Sequence, residues 1–230
     1  GKLLHIVIPD QERLLALGVA VFVSADIRQI PLYRCPAAAG LAAPVFGEDF
    51  DYIAIAKECA ERKLVDYVDF VIAWQNPFKN KYSVGYWDRV FMVENALREI
   101  NPNYYSVNNA EEHISKNKDV IYTYDTLNHI KSNPLDKDNE FVIICGDDVY
   151  NEINKWYKGE DILKENKFIV FTRDSKETIE NDNIISYIDI SGFEEYSSSK
   201  IREMVSNGED ISELVPQNVR RFINENKLYK

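Results

Sequence analysis

Residues 141–148 read FVIICGDD, an unbroken apolar stretch that ends in a glycine and two acids. A continuous apolar run of this length is typical of a strand that is buried on both faces of a sheet. Gly146 lets the backbone approach a ligand closely, and Asp147 and Asp148 follow at the strand end. The stretch therefore predicts a parallel sheet with a binding site beyond the end of this strand.

Strand-like and helix-like segments alternate along the chain from residue 52 onward. The patterns predict strands over 68–73, 104–107, 141–145, 168–171 and 184–190, helices over 52–63, 87–100, 123–132 and 149–156, and closing helices from about 198 and 216. This alternation predicts an α/β fold, a doubly wound parallel sheet with helices on both faces. Ligands of such sheets bind beyond the carboxyl ends of the strands, where the strand order reverses.

The first part of the chain has a different composition. It is rich in Ala, Leu, Val and Pro, and no lysine occurs between Lys2 and Lys57. Its pattern predicts strands over 3–8 and 19–23 with a helix over 11–17 between them. We therefore divide the chain into an N-terminal segment, 1–45, whose role the sequence does not reveal, and a larger domain, 46–230.

Composition and charge exclude several classes of function. A chain of 230 residues with 45% hydrophobic content is long enough for one full core. A net charge of −11 argues against nucleic-acid or membrane-surface partners, so any phosphate needs a local site. Cys35, Cys59 and Cys145 lack the spacing of a zinc site or a disulfide framework, which favours a reducing compartment. Without a signal-peptide pattern or a membrane-spanning run, the sequence predicts a cytoplasmic protein.

Residues 196–202 read YSSSKIR at the start of an amphipathic helix, and this stretch predicts a phosphate site. The serines can cap the first turn and leave backbone N–H groups for an anion. Lys200 and Arg202 add positive charge at the positive end of the helix dipole. For the serines alone, an ordinary capped surface helix is an equally good interpretation.

The acids and aromatic residues after 145 allow several roles. Asp147 and Asp148 could bind Mg²⁺, accept hydrogen bonds from a ribose or a base, or only cap the next helix. Trp156 and Tyr157 could stack on a base or a pyridine ring, although a tryptophan that belongs to the core is at least as common. The residues alone leave these alternatives open.

Taken in order, these motifs resemble the nucleotidyltransferase superfamily, and in particular nicotinate or nicotinamide mononucleotide adenylyltransferases. The matching blocks are NPFK at 76–79, WDR at 87–89, TYDTL at 123–127, GDD at 146–148 with Trp156, SSSKIR at 197–202 and the closing segment 215–229. The resemblance extends from about residue 46 to the end of the chain. It implies a Rossmann-like nucleotidyltransferase fold for the domain over 46–230.

The resemblance implies transfer of an adenylyl group from ATP to nicotinate or nicotinamide mononucleotide, with release of pyrophosphate, in NAD biosynthesis. The implied partners are small-molecule nucleotides, with Mg²⁺ assisting and no protein metal ligand assigned; the oligomeric state stays open. Catalytic charge is expected from Lys79 and Arg202. The ATP and phosphate site is expected to comprise Gly47, Ser197, Ser198, Ser199, Lys200, Ile201 and Arg202. The mononucleotide site is expected to comprise Thr123, Thr126, Gly146, Asp148 and Trp156, which would stack on the pyridine ring.

The chain departs from the family pattern near residue 47. The family's first strand leads into a glycine-rich loop and a His-x-Gly-His motif that contacts the ATP phosphates. Here FGEDFD at 46–51 passes directly into 52–57, which resembles the helix that follows those histidines. The histidines of this chain, His5, His113 and His129, lie elsewhere, and we expect His129 to face solvent.

Three interpretations of this departure stay open. In the first, the chain is a degenerate relative that binds a nucleotide as a sensor or interaction protein. In the second, it is a catalyst in which Lys79, Lys200 and Arg202 supply the charge. In the third, the natural protein carries residues that this sequence lacks. A further alternative with the same fold is another adenylyl- or cytidylyltransferase, such as a pantetheine-phosphate adenylyltransferase. The spacing from Gly146 to Trp156 favours the pyridine-nucleotide branch.

Overall fold

The structure is a computed structural model that describes residues 19–24, 57–59, 61–74, 84–98, 104–134, 139–172, 181–189 and 198–230. The strand predicted over 3–8, the helix predicted over 11–17, and Gly47, Lys79 and Ser197 lie outside the described residues. For Ser198 and Ser199 the structure describes the backbone only.

The described strands form one sheet of six strands. They are β1 (Val19–Ser24), β2 (Tyr67–Ile72), β3 (Tyr105–Asn108), β4 (Val142–Gly146), β5 (Lys167–Thr172) and β6 (Ile184–Asp189), in the order β3-β2-β1-β4-β5-β6. Each strand predicted from the sequence within the described residues is present, with ends that differ by at most one residue. The predicted α/β fold is confirmed.

The direction of β1 corrects the prediction of an all-parallel sheet. β1 runs antiparallel to both of its neighbours, β2 and β4, whereas β2 pairs with β3, and β4 with β5 and β5 with β6, in parallel. The sequence VAVFVS of β1 is apolar except for its last residue, Ser24, and such a run satisfies either kind of ladder. Residues 19–24, which belong to the N-terminal segment, therefore lie at the centre of the sheet. The proposed domain boundary at residue 46 stays a prediction.

The described helices connect and cover the strands. They are α1 (Tyr86–Arg98), α2 (Ala110–Ser115), α3 (Thr123–Lys131), α4 (Asp147–Glu152), α5 (Gly159–Glu165), α6 (Ser198–Asn207) and α7 (Gln217–Glu225), with a 3-10 turn at Ile153–Lys155. Residues 57–59 and Glu61 are also helical. The sequence analysis missed α2 and α5, because helices of six and seven residues are too short for a clear period. None of the described helices is both long and apolar enough to cross a bilayer.

The core is built around β4, as the apolar run at 141–145 predicts. Val142, Ile143, Ile144 and Cys145 are all completely buried. Successive side chains of a strand point to opposite faces, so both faces of β4 must be covered. Burial also raises the pKa of the Cys145 thiol well above its usual value, which makes this thiol an inert part of the core.

Candidate functional site

The carboxyl ends of β2, β3, β4 and β5 lie at the same edge of the sheet. β2 and β4 both run opposite to β1, and β3 and β5 are parallel to them. Trp74, Asn109 and Asp147 follow these strand ends, and Thr172 is the last residue of β5. The edge is therefore the place where the topology collects loop residues for binding.

Asp147 and Asp148 have different surroundings at this edge. Asp147 is half-buried, where Oδ2 accepts a hydrogen bond from Thr172 Oγ1 at 2.8 Å and Oδ1 accepts one from Asp148 N at 2.8 Å. Asp148 is exposed, and its Oδ1 accepts a hydrogen bond from Val149 N at 2.8 Å. Asp147 thus joins the ends of β4 and β5, whereas Asp148 lies in the first turn of α4 and faces solvent, where a ligand can reach it.

Gly146 leaves little room for a side chain. A Cβ atom at this position would lie 2.5 Å from Asp148 Oδ1 and 3.2 Å from a ring carbon of Phe171. The Gly146→Ala variant is therefore expected to displace the Asp148 carboxylate from Val149 N, at a cost of about 1 kcal/mol for the lost hydrogen bond. Chemical unfolding of the variant and the wild type would measure this loss. Equal stability, with Asp148 in its original place in a crystal structure, would contradict it.

A buried carboxyl group, Glu111, joins three elements near this edge. Its Oε2 accepts a hydrogen bond from Trp74 N at 2.7 Å, and its Oε1 accepts one from Thr126 Oγ1 at 2.9 Å. Thr126 is completely buried, and Glu111 is 7% exposed. Burial raises the pKa of Glu111 to about 7, although both hydrogen bonds and the charge of Arg89 act in the opposite direction.

Two further polar side chains, Arg89 and Asn108, hold the parts that Glu111 joins. Arg89, on α1, is 1% exposed and donates to Ala73 O at 2.7 Å and to Trp74 O at 3.1 Å, which fixes the chain after β2. Asn108 Nδ2 donates to Asp69 Oδ2 at 2.6 Å, and its Oδ1 accepts a hydrogen bond from Ala110 N at 2.8 Å. The start of α2 is thus tied to β2 and β3, and Glu111 follows one residue later.

Aromatic rings bring the start of α3 against the segment that contains Trp156. The rings of Tyr122 and Tyr157 lie 4.8 Å apart between centroids, with an interplanar angle of 31°, and Tyr124 meets Tyr157 edge-on at 6.1 Å. Lys118 Nζ lies 5.7 Å from the centre of the Tyr122 ring and pairs with Asp125 Oδ2 at 2.5 Å. Two motifs that are distant in sequence, 123–126 and 156–157, therefore meet in space.

Trp156 lies between solvent and core. It is half-buried and packs against the hydrophobic core, while Tyr157 beside it is 48% exposed. The indole Nε1 is buried and has no hydrogen-bond acceptor among the described residues. The chain then turns back so closely that a Cβ atom on Gly159 would lie 1.8 Å from Ile153 O.

The predicted phosphate-binding residues lie on α6, which follows β6. Ile201 is 7% exposed and its side chain packs into the core. Lys200 is exposed and Arg202 is half-buried. The predicted phosphate contacts of these residues stay predictions.

Several residues of the site were missed by the sequence analysis. Glu111 follows Ala110 in a run that looks like an ordinary acidic helix start. Asp69 was detectable, since a carboxylate within the apolar run of β2 is unusual, and it is buried and bonded to Asn108 and Ser106. His129 is exposed, as predicted.

Comparison with known sequences identifies relatives along most of the chain. The cytidylyltransferase-like family model matches residues 51–204. A protein from Clostridium botulinum (strain Alaska E43 / Type E3) named "Probable nicotinate-nucleotide adenylyltransferase" is 32% identical over 202 residues, which cover 81% of this chain and 96% of the relative. A protein of the same name from Clostridium kluyveri is 33% identical over 208 residues, 81% of this chain and 98% of its own length.

Comparison of structures supports the same fold. The nicotinic acid mononucleotide adenylyltransferase of Plasmodium falciparum, solved in complex with NaAD, superposes with a TM-score of 0.62. The match covers 80% of this chain and 95% of the Plasmodium chain at 20% sequence identity. At this identity the likeness concerns the fold.

Proposed function

Because this chain belongs to the cytidylyltransferase-like family, we propose that it transfers the adenylyl group of ATP to nicotinate or nicotinamide mononucleotide and releases pyrophosphate, in NAD biosynthesis. The observation that carries the proposal is the contact between Tyr122 and Tyr157. It brings the start of α3 next to Trp156 near the carboxyl edge of the sheet, as a site for the mononucleotide requires. Relatives that match four fifths of the chain and carry the name of this activity support the proposal.

The reaction is a displacement at the α-phosphorus of ATP. A phosphate oxygen of the mononucleotide forms a bond to that phosphorus, and the bond from the α-phosphorus to the oxygen that bridges to the β-phosphate breaks. Pyrophosphate leaves with the bridging oxygen. Such a reaction depends on aligned reactants and on positive charge where the phosphate oxygens gain negative charge.

We assign the phosphate side of the site to the loops and helix that follow β2 and β6. Lys79 and Arg202 supply charge to the transferring phosphoryl group, and Lys200 adds charge at the mouth of the site. Gly47 and the backbone N–H groups of Ser197, Ser198, Ser199 and Ile201 bind ATP phosphates. These roles rest on the motif match and on the preference of helix N-termini for anions.

The mononucleotide side is assigned to β4, α3 and the segment after α4. Asp148 is suited to accept hydrogen bonds from ribose hydroxyls, because its carboxylate is exposed at a strand end. Gly146 leaves space for that carboxylate. Thr123 is the first residue of α3, and we assign it to contact the mononucleotide. Thr126 is completely buried and donates to Glu111, so we assign it a positioning role within the mononucleotide site.

Magnesium is proposed to arrive with the phosphates of ATP. Mg²⁺ usually retains several waters and is held by substrate phosphates with one or two carboxylates. Within the part of the chain that the structure describes, no three His, Cys, Asp or Glu side chains form a metal-binding group. We assign no protein ligand to the ion and derive no step through it.

A second candidate function is nucleotide binding without turnover. The observation that favours it is the sequence FGEDFD at 46–51, where the family pattern carries phosphate-contacting histidines. Two carboxylates, Glu48 and Asp49, would repel a triphosphate in this place unless a cation intervenes. A sensor or interaction protein would retain the mononucleotide site and lose turnover.

Pyrophosphate release separates the two functions. The protein is incubated with ATP and Mg²⁺ together with nicotinate mononucleotide, nicotinamide mononucleotide or pantetheine phosphate, and calorimetry measures binding in parallel. Release that requires a pyridine mononucleotide is expected, and the preferred acceptor identifies the acid or the amide as substrate. Calorimetric binding without release would reject turnover and support the second function. Release with pantetheine phosphate alone would reject the assignment to pyridine nucleotides.

The Trp156→Ala variant is expected to weaken mononucleotide binding about 5- to 150-fold, because stacking of an aromatic ring on a base contributes about 1–3 kcal/mol. KM for ATP should change less than twofold, since the ring is assigned to the pyridine side. Initial rates with each substrate varied in turn measure both constants. The Trp87→Ala variant is a matched control, because Trp87 is 58% exposed on α1. Equal losses for both substrates would refute the stacking role.

A further inference from the structure

Glu111 differs from the other described acids around it. Glu112, the next residue, is partly exposed and pairs with Lys116 Nζ at 3.0 Å. Glu111 instead points inward, where each carboxyl oxygen accepts one hydrogen bond from a different element. We propose that Glu111 is a positioning residue for the mononucleotide, which holds the start of α3 in its binding position and couples that position to its own protonation. This inference rests on the proposed function of the site.

The two bonds of Glu111 connect the strand edge to α3. Trp74 N belongs to the chain that leaves β2, and Arg89 immobilises this chain through the carbonyl groups of Ala73 and Trp74. Thr126 belongs to the first turn of α3, one turn from Thr123. The carboxyl group of Glu111 therefore fixes the first turn of α3, which we assign to the mononucleotide, relative to the edge of the sheet.

Protonation can reverse one of these bonds without breaking the connection. In the ionised state both oxygens accept, as the geometry shows. When Glu111 gains a proton, its O–H can donate to Thr126 Oγ1, and the Thr126 hydroxyl hydrogen can turn to Tyr122 O, which lies 3.4 Å away. Bonds to an ionised acceptor are shorter and stronger than neutral ones, so α3 is held more firmly in the ionised state.

The described charged and titratable groups that face Glu111 come from two neighbouring helices. Arg89 on α1 favours the ionised carboxyl group, and Asp125 on α3 disfavours it. Tyr86 on α1 also lies near, and the charge of Glu111 helps to raise the pKa of the Tyr86 phenol, second to burial. Burial outweighs these charges and raises the pKa of Glu111 to about 7. Its change of protonation therefore falls near neutral pH.

The coupling reaches the proposed pyridine site through the aromatic contact. Tyr122 directly precedes α3, and its ring lies on Tyr157, the neighbour of Trp156. A shift of the first turn of α3 would therefore move Thr123, and through the contact between Tyr122 and Tyr157 it would also move the chain next to Trp156. No comparable connection from Glu111 to α6 is described, and Arg89 holds the chain after β2 through Ala73 O and Trp74 O without Glu111, so the main effect is expected on the mononucleotide.

Three variants test the positioning role. Glu111→Ala removes both acceptors and leaves two buried donors without partners, so KM for the mononucleotide should rise about tenfold while KM for ATP changes less than twofold. Glu111→Gln retains an acceptor for Trp74 N and an NH₂ group for Thr126 Oγ1, so it should recover most of the affinity at pH 6. Glu112→Gln should behave as the wild type, because the Glu112 side chain is partly exposed and pairs with Lys116 rather than with Trp74 or Thr126. Equal increases of both KM values in Glu111→Ala would overturn the proposal.

The pH dependence provides a readout that a purely structural role would not move. The ratio of KM for the mononucleotide in Glu111→Gln to that of the wild type is measured from pH 6 to pH 8, since the ratio cancels titration of the ligand. We expect it to rise from about one to about threefold, with a midpoint near 7. A ratio that stays constant across this range would overturn the coupling.

Binding measurements keep this test separate from the proposed function. If the wild-type protein binds the mononucleotide in calorimetry but releases no pyrophosphate, turnover is rejected and the same ratios of dissociation constants decide the role of Glu111. An NMR titration of the Trp74 amide adds a readout that needs no ligand. A shift with a midpoint near 7 in the wild type, absent in Glu111→Gln, supports the coupling, and identical titrations contradict it.

Discussion

Replacement of Arg202 by alanine is expected to lower kcat about 100- to 1,000-fold, while KM for the mononucleotide stays within a factor of about three. The proposed role of Arg202 is to neutralise charge that develops on the phosphate oxygens during transfer. Removal of one such preorganised group typically costs about 2.7–4 kcal/mol of transition-state stabilisation. Steady-state pyrophosphate release measures the effect, and thermal unfolding confirms that the half-buried side chain can be removed without loss of the fold.

A matched control is available on the neighbouring helix. Arg221 lies on α7 and is exposed, so Arg221→Ala removes the same charge from the chain without touching the proposed phosphate site. Its kcat should stay within a factor of two of the wild type. Equal turnover in both variants would remove Arg202 from the catalytic machinery, and a loss confined to KM for ATP would restrict it to ground-state binding.

The second large effect concerns the stability of the protein as a function of pH. The pKa of Glu111 is about 7 in the folded protein, against an ordinary value of 4.5. Between these values the folded state retains a proton that the unfolded state has lost, so stability is fully present below about 4.5 and falls as pH rises through about 7. The difference corresponds to about 3 kcal/mol at 1.36 kcal/mol per unit.

Urea unfolding at a series of pH values measures this contribution. Glu111→Gln cannot ionise, so its free energy of unfolding should gain about 3 kcal/mol relative to the wild type between pH 4.5 and pH 8. Glu112→Gln is the control and should follow the wild-type curve, because Glu112 is partly exposed and takes no part in the contacts with Trp74 and Thr126. Parallel curves for Glu111→Gln and the wild type would show that the carboxyl group is not destabilised by burial.

Much of the fold was predictable from local pattern. The apolar run at 141–145 predicts a strand buried on both faces, and β4 is completely buried because no polar side chain there would require water. The acids after Gly146 mark the strand end, and one of them, Asp148, is exposed as a ligand contact requires. Burial and strand ends are properties of neighbouring residues, which is why a single sequence contains them.

The direction of β1 and the connections of the candidate site were decided by tertiary structure alone. An apolar strand such as β1 pairs in either direction, and its antiparallel orientation depends on how the chain enters the sheet. Glu111 meets Thr126 and Trp74, and Tyr122 meets Tyr157, across large separations in sequence. No local pattern encodes such contacts, because they arise only when packed elements bring distant side chains to one place. By itself the sequence determined which segments are buried and where strands end, and the packing determined which side chains work together.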